Sequence, residues 1–358
     1  MFVPFWQCNV MREESILLVS ESGRPPEARL LYDPLEIDIV QDACKSTQYV
    51  RGKDWIWEDG RLKLTPHSRA AWLTEERLHP TESDEVRKWP KYGGGYALAE
   101  SPPFFHRHQL LVTYTHGGQH RDWPVPRRAE HELPQLFRKL ANGEPVRIAL
   151  YGDSISAGSD ASGPLRVPPY SPGWGERFAG MLREAYPASS IEWINASKGG
   201  TTSAWGAANA SNLVAVHKPD LTIVAFGMND GTSKVPPDVF RNQTSLIMKE
   251  VKRLQPSAEF ALIATSLPNP ELTIASEGEH RSYRDVIRSL TGPGVVMADM
   301  TTMHERLLQY KQYRDMTGNN INHPNDFLAG VYSDFVGSLF LSAPALSSKG
   351  SSGVGVEG

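Results

Sequence analysis

Two cysteines in 358 residues, Cys8 and Cys44, leave this chain without the material for a disulfide framework or a cysteine-based metal cluster. Two free thiols in a reducing compartment is the expectation. No apolar run approaches the ~20 residues that a membrane-spanning helix requires. Charge of one sign is also missing. Lys and Arg number 37 against 41 Asp and Glu, for a formal charge of −4, so neither nucleic acid nor an anionic membrane is expected as partner. There is no glycine-rich phosphate loop and no cluster of metal-ligand spacing, so no cofactor and no metal are expected. The N-terminal Met1-Phe-Val-Pro-Phe-Trp-Gln-Cys8 lacks a basic segment and carries an early proline, unlike a secretory signal. The expected location is cytoplasmic, or secreted if a leader has been removed.

Helical periodicity is scarce over the first 140 residues. Short segments rich in Val, Ile, Tyr and Thr take its place at 15–20, 28–32, 35–40, 48–50, 61–64 and 109–114. Turn signals such as Ser22-Gly23, Asp59-Gly60 and Gly93-Gly94-Gly95 punctuate them. Short strands at this spacing predict an antiparallel β-sandwich over residues 1–140. Six of the nine tryptophans fall here: Trp6, Trp55, Trp57, Trp72, Trp89 and Trp123. Aromatic burial favours core and interface positions for them over a sugar-binding face. His106 and His108 lack neighbouring Cys or carboxylates and read as surface or interface residues. An extended, proline-bearing stretch at 123–128 and a helix over 129–140 place the domain boundary at about 120–145.

From residue 146 strands and helices alternate. Strands are predicted at 146–151, 191–194, 220–226, 259–264 and 294–299, with helices at 174–186, 203–216, 237–254 and 283–290. This order calls for a parallel sheet covered on both faces, with ligands beyond the carboxyl ends of its strands. The unit runs over 146–345, and a Gly- and Ser-rich segment at 346–358 reads as a flexible tail.

Polar punctuation stands at those strand ends. Gly152-Asp153-Ser154 follows the first strand, where a serine on a sharp strand-to-helix turn can supply both a nucleophilic hydroxyl and a backbone N–H. Taken alone it is a common turn. Asn195-Ala-Ser-Lys-Gly-Gly200, Gly227-Met-Asn229-Asp230 and His323-Pro-Asn-Asp326 follow in order. Individually Gly200 reads as a turn glycine, Asn229 as a helix cap and His323 as a structural histidine.

Together these four blocks resemble the SGNH (GDSL) hydrolases over residues 146 to about 340. The resemblance implies a three-layer α/β/α fold, here with an N-terminal β-sandwich of jelly-roll type. It implies Ser154 as nucleophile and His323 as base. The oxyanion would be held by the backbone N–H groups of Ser154 and Gly200 and by the side-chain amide of Asn229. Asp153 reads as a turn-stabilising residue. The chain departs from the family where most members carry an aspartate three residues before the histidine, because Asn320 stands there. Asn320 is therefore the candidate to orient His323, with a backbone carbonyl, Asp315, Asp326 and Asp299 as alternatives. A Ser–His dyad or an irregular triad is expected.

A β-sandwich ahead of such a unit is similar to several carbohydrate esterases, including family 2 acetyl esterases. This implies removal of acetyl groups from plant polysaccharide, such as xylan, or its oligosaccharides. Tyr170 and Trp205 are then sugar-stacking candidates, with core packing as the alternative. Small residues around the site and the lack of a long apolar lid favour a short acyl group. Two other functions remain open: a general short-chain carboxylesterase or lipase of the same fold, and a carbohydrate-binding protein with a degenerate site. An exposed sandwich edge would allow a homodimer.

Overall fold

Strand β1 (Val146–Gly152) is paired on both sides in a five-stranded, wholly parallel sheet. The other strands are β2 (Ile191–Asn195), β3 (Leu221–Ala225), β4 (Glu259–Ala264) and β5 (Val295–Asp299), and the order is β2-β1-β3-β4-β5. The computed structural model describes residues 2–118 and 121–342. The expected tail at 346–358, and the last three residues of the 146–345 unit, lie outside the described residues. Every residue of β3 and β4 is buried, as expected for inner strands of a sheet covered on both faces. Successive residues of β1 point to opposite faces. Ile148 and Leu150 join a core with Trp174, Phe178 and Phe335, whereas Ala149 and Tyr151 join one with Phe226, Phe240 and Tyr283.

Helices cover both faces. On the first lie α1 (Pro134–Ala141), α2 (Trp174–Ala185), α6 (Met300–Leu308) and α7 (Asp326–Gly337). On the second lie α3 (Ser203–Leu213), α4 (Pro237–Leu254) and α5 (Ser282–Ser289). The three-layer α/β/α architecture is thus the one expected. The chain runs outward from β1 to β2 and returns to pair β3 on the other side of β1. The carboxyl ends of these strands therefore flank the point where strand order reverses, the usual ligand position in open parallel sheets.

Helix α1 begins later than the periodicity at 129–140 predicts. Pro134, at its first turn, has no N–H to satisfy. The next two, at Gln135 and Leu136, donate to the carboxylate of Glu259 on β4 at 3.0 and 2.9 Å. A residue 124 positions away thus acts as the cap. The apolar pattern alone reveals no such start.

The N-terminal part is β-rich. Val10–Leu17, Gln109–His116 and Pro34–Asp42 form a three-stranded antiparallel sheet, bulged between Met11 and Glu14. A second, five-stranded sheet runs Trp55–Glu58, Arg61–Leu64, Glu27–Ala28, Val19–Ser20, Leu73–Thr74, with one parallel pairing at its end. Lys88–Pro90 and Tyr96–Leu98 make a hairpin closed by the three glycines 93–95. The expected strand at 48–50 is reduced to a single bridge, Gln48 to Gln41. Trp55 is buried and Trp57 and Trp123 pack on the same core, while Trp72 is exposed. His106 and His108 each bond a backbone carbonyl, of Pro168 and Phe104. Cys8 and Cys44 are both free thiols. No helix among the described residues is long and apolar enough to cross a membrane.

Candidate active site

β1 ends at Gly152, where the chain turns within van der Waals limits of β3. A Cβ at Gly152 would lie 2.5 Å from the Ala225 carbonyl oxygen and 2.7 Å from the Ser156 hydroxyl, so only glycine fits. The helical turns that follow lift Ser154 beyond the sheet. Asp153 accepts the Ile155 N–H at 3.0 Å through one oxygen, while its other oxygen has no hydrogen-bond partner among the described residues. Burial pushes its carboxyl up to about 7. It stabilises the turn, as expected from sequence.

Ser154 Oγ lies 2.9 Å from Nε2 of His323, and Nδ1 of His323 lies 3.0 Å from Oδ2 of Asp160. An ionised carboxylate only accepts hydrogen bonds. With Nδ1–H donated to Asp160, Nε2 is left as acceptor for the serine hydroxyl. The arrangement can therefore remove a proton from Ser154 and stabilise the resulting imidazolium.

Asp160 corrects the expectation that Asn320 orients the histidine. Asn320 sits at φ +58°, and its side chain is spent elsewhere: Nδ2 donates to the Leu98 carbonyl at 2.8 Å, and Oδ1 accepts from Asn269 at 3.1 Å. It ties the histidine loop to the hairpin. The other carboxylates considered have duties of their own. Asp315 accepts the Leu17 N–H, Asp326 accepts the Ser162 N–H, and Asp299 caps α6 and pairs with Arg288. Asp160 comes instead from the nucleophile's own loop, six residues past Ser154, in the left-handed region at φ +69°. One sequence signal bears on it: Asp160 is the first acidic residue after Ser154, in the same polar loop at the carboxyl edge of the sheet.

The histidine loop is held at many points. Asn319 Oδ1 accepts the backbone N–H groups of Ile321, Asn322 and His323. The His323 carbonyl receives Gly318 N–H and the Thr317 hydroxyl, both at 3.0 Å. Asn325 caps α7 and donates to Ser15 Oγ, Gln109 Oε1 and the Asp315 carbonyl. Gln109 in turn donates to the carbonyls of Arg314 and Thr317. Ser15 and Gln109 belong to the first antiparallel sheet, so this β-rich part braces the segment that presents the base.

Blocks two and three meet beside Ser154. A Cβ at Gly199 would lie 3.7 Å from that of Ser154, and Gly200 adopts φ +76°, which glycine takes without penalty. Asn229 Nδ2 donates to the Thr201 carbonyl at 2.8 Å, and its amide carries a second hydrogen. Asp230 is buried and receives both the Ser203 N–H, at 3.0 Å, and the Ser203 hydroxyl. These bonds lock the Gly199–Gly200 turn against the Asn229 turn. Gly200 and Asn229, the expected oxyanion donors, thereby sit on two turns that are tied together next to the serine. Tyr170 is 62% exposed in the loop after Asp160. Trp205 is half-buried, packed on Tyr151 with the Lys198 ammonium over its ring.

Residues 150–327 match the GDSL-like Lipase/Acylhydrolase family. An arylesterase of Vibrio mimicus is 29% identical over 106 residues, which is 30% of this chain and 48% of that protein. Among solved structures, a two-domain esterase (CEX) active on acetylated mannans aligns at 21% identity with a TM-score of 0.47, covering 59% of this chain and 52% of that one. A catalytic mutant of Axe2, an acetylxylan esterase from Geobacillus stearothermophilus, aligns at 16% identity and 0.45, covering 55% and 95%. The chain spans about half the length of the arylesterase and of the two-domain esterase.

Proposed function

Residues 150–327 belong to the GDSL-like lipase/acylhydrolase family, and on that premise we propose that this protein is a serine carboxylic ester hydrolase that removes acetyl groups from carbohydrate. The observation that carries the reading is the unbroken chain Ser154 Oγ, His323, Asp160, at 2.9 and 3.0 Å. Ser154 attacks the ester carbonyl while His323 Nε2 takes its proton. The carbonyl π bond opens onto oxygen, and the N–H groups of Ser154 and Gly200 with the Asn229 amide stabilise the charge. Collapse of the tetrahedral adduct breaks the bond to the sugar oxygen, which leaves with the proton from His323. Water then attacks the acyl-enzyme by the same route and releases acetate. Asp160 holds the ring in the productive tautomer and faces the imidazolium.

Support for a small acyl group on a large alcohol comes from the shape of the surroundings. Ser154 is only 6% exposed. Lys198, Gly199 and Gly200, in contrast, are open to solvent, where an extended chain can lie. Acetylated xylan or its oligosaccharides is the proposed substrate. The test compares acetate release from acetylated xylo-oligosaccharides with hydrolysis of p-nitrophenyl acetate and octanoate, for wild type and Ser154→Ala. Serine-dependent acetate release with octanoate poor is expected. Equal cleavage of octanoate would replace this reading with a general esterase, and no serine-dependent turnover would leave a carbohydrate-binding protein.

A further inference from the structure

Lys198 is exposed beside the nucleophile, and the described residues offer it no carboxylate partner. The acidic groups on the neighbouring strand and helix are already engaged: Glu192 pairs with Arg147 at 2.7 Å, and Glu176 accepts from the Asn195 amide at 2.9 Å. Its backbone is fixed, because Lys198 N–H donates to the Gly152 carbonyl at 3.0 Å and its own carbonyl receives the Thr201 hydroxyl at 2.7 Å. The next residue, Gly199, is the one whose Cβ position lies 3.7 Å from Ser154. The side chain is also directed. Its ammonium stands 5.6 Å from the centre of the Trp205 ring, and Trp205 is seated against Tyr151, with ring centres 5.9 Å apart. The cation–π contact costs little desolvation at an exposed site and leaves the ammonium's outer side hydrated and available.

From this juxtaposition we propose that Lys198, positioned by Trp205, selects esters whose alcohol portion carries a carboxylate, so that the preferred substrates are acetylated sugars of uronic-acid-bearing chains. The proposal rests on the esterase reading above and names the substrate class of that same site. Trp205 then serves less as a stacking surface for sugar than as the platform that aims the lysine. Lysine suits the task because it acts as a point charge toward any nearby anion, without demanding bidentate geometry.

The experiment measures kcat/KM for acetylated xylo-oligosaccharides with a glucuronic acid branch and for their unbranched counterparts, at low and high salt. Wild type should favour the acidic substrate by about tenfold at low ionic strength, with the preference shrinking as salt screens the contact. Lys198→Met should bring the ratio to near one, Lys198→Glu should invert it, and Trp205→Leu should weaken it. A wild-type ratio of one or less, or a ratio that Lys198→Met and Lys198→Glu leave in place, overturns the proposal while the esterase reading stands. Failure of every ester to turn over in a Ser154-dependent way overturns both.

Discussion

Asp160 is the residue on which the chemistry of this site turns after the serine and histidine themselves. It supplies the charge that Asn320, three residues before the histidine, cannot. Asp160→Asn keeps the shape but offers an amide that can donate to Nδ1 and favour the wrong tautomer; kcat for p-nitrophenyl acetate should fall by about 10⁴-fold. Asn320→Ala removes bonds to Leu98 and Asn269 but none to His323, so its effect on kcat should stay below about tenfold. Equal losses in the two variants would return the orienting role to Asn320. Asp153 makes a different, pH-linked contribution. Its carboxyl is raised to about 7 by burial, so the folded state holds a proton that the unfolded chain releases near pH 4. Its share of stability is greatest below pH 4 and is lost as pH rises towards 7, up to about 4 kcal/mol. Asp153→Asn should therefore gain stability relative to wild type as pH increases through that window. Urea unfolding at pH 4.5 and 7.5 measures it, and a difference that does not grow with pH would contradict the assignment.

At the scale of elements, the parallel sheet positions the site by gathering four loops at one edge, and the start of α1 depends on a side chain from a distant strand. Glu259 on β4 caps α1, and burial holds its carboxyl above the usual range. Glu259→Ala leaves two helix N–H groups without their acceptor and should cost about 1–3 kcal/mol in urea unfolding at neutral pH. A change within about 0.5 kcal/mol would mean that water replaces the carboxylate freely. Activity at Ser154 should survive in the fraction that remains folded, because β4 contributes none of the residues that touch it.

At the scale of the whole molecule, the β-rich N-terminal part and the parallel-sheet part share a buried polar seam. Lys311 and Glu14 form an ion pair with both side chains fully inaccessible, and Tyr114 donates to the same Glu14 at 2.6 Å. Lys311 also donates to the Ser15 carbonyl, next to the Ser15 hydroxyl that holds Asn325. Breaking one partner of a buried pair strands the other charge, so Glu14→Gln should lose about 3–5 kcal/mol. Lys311→Met in that background should restore part of the loss, since it removes the stranded cation. Additive losses in the double variant would show that the two residues do not act as a pair. Because the seam runs to the histidine loop, Glu14→Gln should also lower kcat more than it raises KM.

Much of this was legible along the chain, for a definite reason. Apolar runs bounded by turns are local, so β4 and α4 fall on the residues their patterns predict, 259–264 and 237–254. A parallel sheet then follows from their alternation, and its carboxyl edge collects Ser154, Gly200, Asn229 and His323 because each ends a strand or lies in a loop on that side. Which carboxylate reaches His323 is another matter. Asp160, Asp299, Asp315, Asp326 and Asn320 have similar credentials in one dimension, and only loop closure distinguishes them. The left-handed turns at Asp160 and Asn320 aim one side chain at the ring and the other at the hairpin. The capping of α1 by Glu259 and the burial of Lys311 on Glu14 are equally non-local, since each joins segments whose sequences carry no sign of one another. Residue chemistry and periodicity determine what the chain can offer at the sheet edge; packing between distant segments decides which groups meet there.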